Sequence, residues 1–216
     1  MSNKLPPLRF QSDVAVKVSH RECVYQGFFK MEQVQLRHRL FEGGWSRAVT
    51  REVFIRGDAV AALMFDPKHD LIGLVEQFRV GALGDSRSPW LYEVVAGMAE
   101  SGELPMDVIR RELLEEADMT PEKLIPICDY YSSPGGTDES LSLYCALGDL
   151  RSVSGIHGLP EEDENIQVVV LSANSVFEHL YDGRFNNAAT LICLQWLQLH
   201  HAELKASYGE NSDAAS

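Results

Sequence analysis

The sequence predicts a mixed α/β chain in which a small antiparallel β unit precedes a larger α/β domain. Three observations carry that reading. Extended segments run from Asp13 to Arg56, several short apolar runs bounded by turn residues follow, and helix-length patterns stand among them, one beginning at Pro105. The chain of 216 residues, 45% apolar, fits one full-sized domain with a modest appendage and has enough apolar material for a sizeable core. The expected divisions are 1–57 for the β unit, 58–206 for the larger domain and 207–216 for a polar, disordered tail.

Taken in order, "FFKMEQVQLRHRLF" and "WSRAVTREVFI" read as strands separated by Glu42-Gly43-Gly44, a hairpin connection. "DAVAALMF" and "LIGLVEQFRV" read as buried strands joined by a turn built on Asp66-Pro67. "WLYEVVAGMAE" reads as one more strand running into a glycine-containing loop. Pro105 then suits the first position of a helix that runs to about Ala117.

Further strands are expected at "LIPICDYY", "LSLYCALGDL" and "NIQVVVLS", and a short helix around "SVFEHLYDG" with Gly183 as its stop. The last element, "NNAATLICLQWLQLHHAELKA", has Asn186 or Asn187 as N-cap and Leu191, Leu194 and Leu197 at helical spacing, the pattern of a packing helix. His200 and His201, near its C-terminal end, are expected to complement the helix dipole and not to bind metal.

The formal charge of -13 is spread along the chain, which argues against a nucleic-acid or anionic-membrane surface. Cys23, Cys128, Cys145 and Cys193 lie far apart without CxxC spacing and read as reduced and mostly structural. The N-terminal stretch has no apolar signal region, and no run of about 18 apolar residues occurs. The cytoplasm is the expected compartment.

"RRELLEEADM" concentrates negative charge in an already acidic chain. On a helix, Glu112, Glu115 and Glu116 are near neighbours at i, i+3 and i+4, and each like-charge pair costs roughly 0.2–0.5 kcal/mol in an isolated helix. Bound cations would offset that repulsion. Taken alone the run also fits a solvated helix face laced with ion pairs. The longer stretch "GMAESGELPMDVIRRELLEEADM", Gly97 to Met119, decides between them. Its spacing of Gly97, Glu103, Arg111-Glu112, Glu115-Glu116 and the closing apolar Met119 resembles the Nudix box at every diagnostic position except Asp118, where that family usually has glycine. Aspartate is among the few other residues that enter the left-handed region at moderate cost.

The chemistry of such a box follows from charge. Hydrolysing a diphosphate brings water against phosphoryl groups that are already anionic, so the site must supply positive charge. Magnesium suits the task, being held by one or two carboxylates together with substrate phosphates, and manganese or another divalent cation can stand in its place. Glu112 and Glu116, one helical turn apart, offer oxygens toward one point. Glu115 ligates a further ion or orients the others, and Arg111 can pair with it at i+4. Gly97 lets the backbone bend closely around the site. The resemblance implies that the Ala96 carbonyl joins the ligand set.

Beyond the box, "YQGFF", "RHRLF", "TREVFIRG", "EQFRVG", "PWLYEVVAGM", "SPGGTDE", "GIHGLPEEDENI" and "NNAATLICLQWLQLHH" resemble the bacterial ADP-ribose pyrophosphatases of that family from about residue 20 to 202, with Pro134 fifteen residues past Met119 as the subfamily's mark. The resemblance implies a Nudix α/β/α sandwich preceded by a small N-terminal antiparallel β domain that is exchanged across a homodimer. It also implies hydrolysis of ADP-ribose to AMP and ribose 5-phosphate, with another nucleoside diphosphate sugar such as GDP-mannose, or a non-catalytic nucleotide-sensing module, as the alternatives.

Residue by residue, the resemblance implies substrate contacts for Arg51, Glu52, Arg56 and Arg79, and guanidinium forks are suited to phosphate oxygens in a protein of this net charge. Phe28 and Phe29 either stack on adenine or are two core aromatics at a strand start. Met98, Ser133, Gly135 and Glu139 match further substrate-lining positions, although "SPGG" also reads as an ordinary surface turn. In "GLPEEDENI" the resemblance implies that Glu162 is the general base and that Glu164 helps bind magnesium; the bland reading is a solvated acidic loop.

Overall fold

The computed structural model describes residues 5–100, 102–159 and 163–208. Two compact units emerge, Met1–Arg56 with Ser133–Glu139, and Gly57–Ser132 with Ser140–Ser216. The "SPGGTDE" loop thus groups with the N-terminal strands, a connection that 76 intervening residues hide from a linear reading.

In the first unit a short helix α1 (Ser12–Ala15) leads into β1 (Val16–Gln26), β2 (Lys30–His38) and β3 (Val49–Ile55), an antiparallel sheet in that order. Gly27 to Phe29 turn β1 into β2, and register shifts in β1 mark two bulges. The β2–β3 loop contains the expected Gly43-Gly44 turn, both residues at positive φ (101° and 78°), and is closed by an Arg39–Trp45 bridge with the guanidinium 4.4 Å from the indole ring. The Ser133–Glu139 loop lies along the end of β3. There Phe54 N donates to Gly136 O at 2.8 Å, Thr137 Oγ1 donates to Phe54 O at 2.8 Å, and Arg56 N donates to Asp138 Oδ1 at 2.7 Å.

The second unit runs β4 (Asp58–Asp66), β5 (Leu71–Phe78), β6 (Trp90–Glu93), β7 (Val95–Met98), α2 (Pro105–Ala117), β8 (Lys123–Tyr131), β9 (Ser140–Leu147), β10 (Gly155–His157), β11 (Ile166–Ser172), α3 (Ala173–Glu178) and α4 (Ala188–Tyr208). Its sheet has the order β10-β11-β5-β4-β9-β8, with β6 on β5 and β7 on β4. The β4–β9 pair is parallel. Strand alternation sends Ala61, Leu63 and Phe65 of β4 into a core shared with α3 and α4, and Val60, Ala62 and Met64 into a second core under α2. Both faces of the sheet are therefore covered, which makes an α/β/α sandwich.

Residues 90–98, expected as one strand, form two. β4 and β5 pair with each other only from Met64/Gly73 to their shared turn; farther on, β5 takes β6 and β4 takes β7. At the break the Val94 N–H donates to the buried Thr190 hydroxyl of α4 at 3.1 Å, so no backbone donor is stranded.

The β4–β5 turn is organised by Asp66, whose Oδ1 accepts from Lys68 N and His69 N. Asn187, not Asn186, caps α4, its Oδ1 accepting from Thr190 N at 3.1 Å. His201 reaches back to Asp70 at 2.6 Å and Lys205 joins at 2.9 Å, while His200 bonds the Trp196 carbonyl. Burial opposes ionisation of Asp70, but the bonds from Lys205 and His201 outweigh it and hold its carboxyl below the usual range. No helix among the described residues is long and apolar enough to cross a membrane.

Candidate active site

Helix α2 starts at Pro105 and buries Val108, Ile109, Leu113, Glu116 and Ala117 against the sheet. The apolar members of that stripe fix the helix on the second core, and the i, i+4 relation then carries Glu112 and Glu116 to its rim beside β7. Asp118 ends the helix in the left-handed region (φ 49°, ψ 38°), and the N–H groups of Asp118 and Met119 return to Leu114 O and Leu113 O at 3.0 Å. The helix end that glycine usually forms is therefore kept by aspartate.

Glu112 lies so close over Gly97 that a Cβ at position 97 would overlap its carboxyl group. Glu116, 3% exposed, accepts a hydrogen bond from the Ala96 N–H at 3.3 Å. Burial and the charges of Glu112 and Glu164 push its carboxyl up to about 8, against the pull of that N–H and of Arg79. Burial raises Glu112 as well, with Glu115 and Glu164 adding to it and Arg111 opposing. Arg111 stands 2.9 Å from Glu112 and 3.2 Å from Glu115. The Gly158 N–H bonds the Glu115 carbonyl at 3.4 Å, which ties Gly158 to α2, and Leu159 N donates to Glu164 Oε2 at 3.2 Å. Across the site, Arg79 at the end of β5 is held through Nε by Glu93 of β6 at 2.8 Å.

The sequence-derived residues thus fall into two groups. Arg79, Ala96, Met98, Arg111, Glu112, Glu115, Glu116 and Glu164 belong to the second unit. Phe28, Phe29, Arg51, Glu52, Arg56, Ser133, Gly135 and Glu139 belong to the first. Within that group Arg56 pairs with Glu139 at 2.8 Å and lies 4.7 Å from the Phe29 ring centre. Phe29 packs edge-on against both Phe54 and Phe28; Phe28 itself is 90% exposed. Arg51 and Glu52, adjacent on β3, point to opposite faces. Ser133 and Gly135 are exposed. Glu162 lies outside the described residues.

Glu93 is not singled out by the sequence reading; the signal for it is a lone acid inside the apolar run "WLYEVV". A cleft of about 720 Å³ opens beside the loop before α2, lined by Asp58, Glu100, Glu103, Asp129 and Tyr131 and not by the Glu112–Glu116 pair. Asp66, His69 and Asp149 also bring ligand atoms within 4.8 Å of one another, yet both oxygens of Asp66 already accept hydrogen bonds, Oδ2 from Leu150 N and the His69 ring.

An α/β/α sandwich that gathers carboxylates on a helix rim beside a glycine-bearing strand is an arrangement suited to a cation-assisted hydrolase, and sequence similarity names its family. The NUDIX domain model matches residues 55–192, and the chain belongs to the Nudix family. It is 46% identical to the ADP-ribose pyrophosphatase of Escherichia coli K12 over 190 residues, 88% of this chain and 91% of that protein. It is 41% identical to the ADP-ribose pyrophosphatase of Haemophilus influenzae over 196 residues, 89% and 90% of the two chains. A GDP-mannose pyrophosphatase of Yersinia pestis is 28% identical over 87% of this chain and 94% of its own. Among solved structures, an ADP compounds hydrolase superposes with a TM-score of 0.65 at 19% identity, covering 90% of this chain and 97% of that one, a likeness of fold.

Proposed function

We propose that the protein hydrolyses the diphosphate bridge of ADP-ribose to AMP and ribose 5-phosphate with the help of magnesium. One arrangement carries the reading: Glu112 laid over Gly97 beside the buried Glu116, two carboxylates whose ionisation is opposed by burial and by neighbouring glutamates. The donors there, carboxylates and the Ala96 carbonyl, are hard oxygens suited to a divalent cation. When bound, the cation supplies charge that neutralises phosphoryl oxygens facing an attacking water.

The chain's own groups divide the remaining work. Glu112, Glu116, Glu164 and the Ala96 carbonyl hold the cation; Arg111 holds Glu112 and Glu115 in place; Glu162 takes the proton from the attacking water. Arg79, steadied by Glu93, grips a phosphate. Met98 lines the substrate, as do Arg51, Glu52, Arg56, Ser133, Gly135 and Glu139, with Phe28 or Phe29 stacking on adenine. The Escherichia and Haemophilus relatives support ADP-ribose over the GDP-mannose that the more distant Yersinia relative is named for.

The first unit is proposed to exchange between two copies in a homodimer. Val18, Val24, Tyr25 and Phe28 support this, being large apolar side chains exposed along β1 and its turn. Sedimentation equilibrium at twice the chain mass is the expected result. The four unpaired cysteines support a cytoplasmic location.

A panel of ADP-ribose, GDP-mannose and NADH with magnesium, compared by kcat/KM and by product mass, tests the function. ADP-ribose is expected to lead. Preference for GDP-mannose would replace the substrate, and tight binding without cleavage would replace the enzyme by a nucleotide-sensing module.

A further inference from the structure

Gln77 lies in β5 with only 7% of its surface exposed, and its Nε2 has no hydrogen-bond partner. Among the described residues of the second unit it is the one buried side-chain nitrogen or oxygen so placed; the buried polar groups Asp66, Glu116 and Thr190 all have partners. An amide N–H removed from water and left unbonded is costly and calls for a reason.

The sheet register shows what lies on its side. Val75 belongs to the core beneath α2, and strand alternation places Gln77 on that same face. Val75 stands opposite Glu93 and Gln77 opposite Leu91, so Gln77 is one step along the strand from the Arg79–Glu93 ion pair. Arg79 in turn is near enough to Glu116 to act on its charge. A buried amide donor therefore sits on the same sheet face as Arg79, two residues away along the chain.

We infer that Gln77 is a further substrate-binding residue whose Nε2 donates a hydrogen bond to an anionic oxygen of the bound diphosphate. The inference rests on the hydrolase reading above. The alternative acceptor of the same chemistry is a carboxylate of the cation-binding set, Glu116 or Glu164, and the two acceptors separate by experiment. An unpartnered donor makes no bond in the free protein, so its removal is expected to leave the fold and the Arg79–Glu93 pair intact.

The test compares wild type with Gln77→Met, which keeps the length and removes the donor, and with Gln77→Glu, which keeps the shape and replaces the donor by a charge. Four quantities are read: metal-free Tm, Mn2+ affinity without substrate, AMP affinity with Mn2+ present, and kcat and KM for ADP-ribose. Gln77→Met is expected to keep or raise the metal-free Tm and to keep Mn2+ affinity within about twofold, while kcat/KM falls about 10- to 100-fold, the size of one hydrogen bond to a charged group. Gln77→Glu is expected to lose more, and to weaken AMP binding. Weakened Mn2+ affinity in Gln77→Met would assign the donor to a carboxylate and overturn the inference. Unchanged kcat/KM, or a lower Tm with unchanged kcat/KM, would overturn it in favour of a packing role. A wild type that cleaves no diphosphate would instead fail the hydrolase reading, which separates the two.

Discussion

The carboxyl group of Glu112 occupies the space that a side chain at Gly97 would fill. The constraint on position 97 therefore comes from a neighbour on α2 and not from its own backbone, which continues β7 in register with Val60. Gly97→Ala is expected to displace Glu112 and to lower kcat/KM by about 100-fold, the scale of a 1 Å misplacement in an active site, with the far-ultraviolet spectrum unchanged. Activity within about twofold of wild type would show that the contact is not required.

Glu116 offers a test in stability. Its folded-state value of about 8 lies above that of an exposed glutamate, so the folded protein binds the proton more tightly than the unfolded chain. The associated stability is present below the unfolded value, near 4.5, and is lost as pH rises through about 8. In metal-free protein Glu116→Gln is accordingly expected to be more stable at pH 8–9, by on the order of 1 kcal/mol or more, about 2–4 °C in Tm per kcal/mol, with the gain vanishing at pH 5. The same variant is expected to lose the rise in Tm that Mn2+ gives wild type. Thermal melts across pH, with and without Mn2+, check both.

Asp118 holds a left-handed helix end that glycine adopts without steric cost. Asp118→Gly is expected to raise stability by about 0.5–1 kcal/mol and leave kcat within twofold, read by urea melts and steady-state assay. A loss of stability would mean that the Asp118 side chain contributes more than its backbone costs.

The box helix was legible because its chemistry depends on spacing, and Pro105, Glu112, Glu116 and Asp118 all stand in one stretch of 14 residues. The split at Val94 was not, because "WLYEVV" is uniformly strand-like and the break is set by which neighbour each half pairs with. β10 was too short to show a period. The docking of "SPGGTDE" on β3 depends on contacts about 80 residues apart in sequence. Gln77 was invisible for another reason: a single polar residue near a strand end reads as solvent-facing until its burial is seen.

Glu162 is expected to serve as the base that accepts a proton from water. Glu162→Gln should lower kcat by at least about 100-fold while Tm and Mn2+ affinity stay close to wild type. Near-normal turnover would remove it from that role.

Acidic side chains on α2 are expected to gather a cation with which water splits a diphosphate. The most direct measurement follows ADP-ribose by mass in protein stripped with chelator and then given magnesium. The expected result is no cleavage before addition and AMP with ribose 5-phosphate after it. Cleavage that is equally fast in the stripped protein, or none in the folded and remetallated protein, would contradict the account.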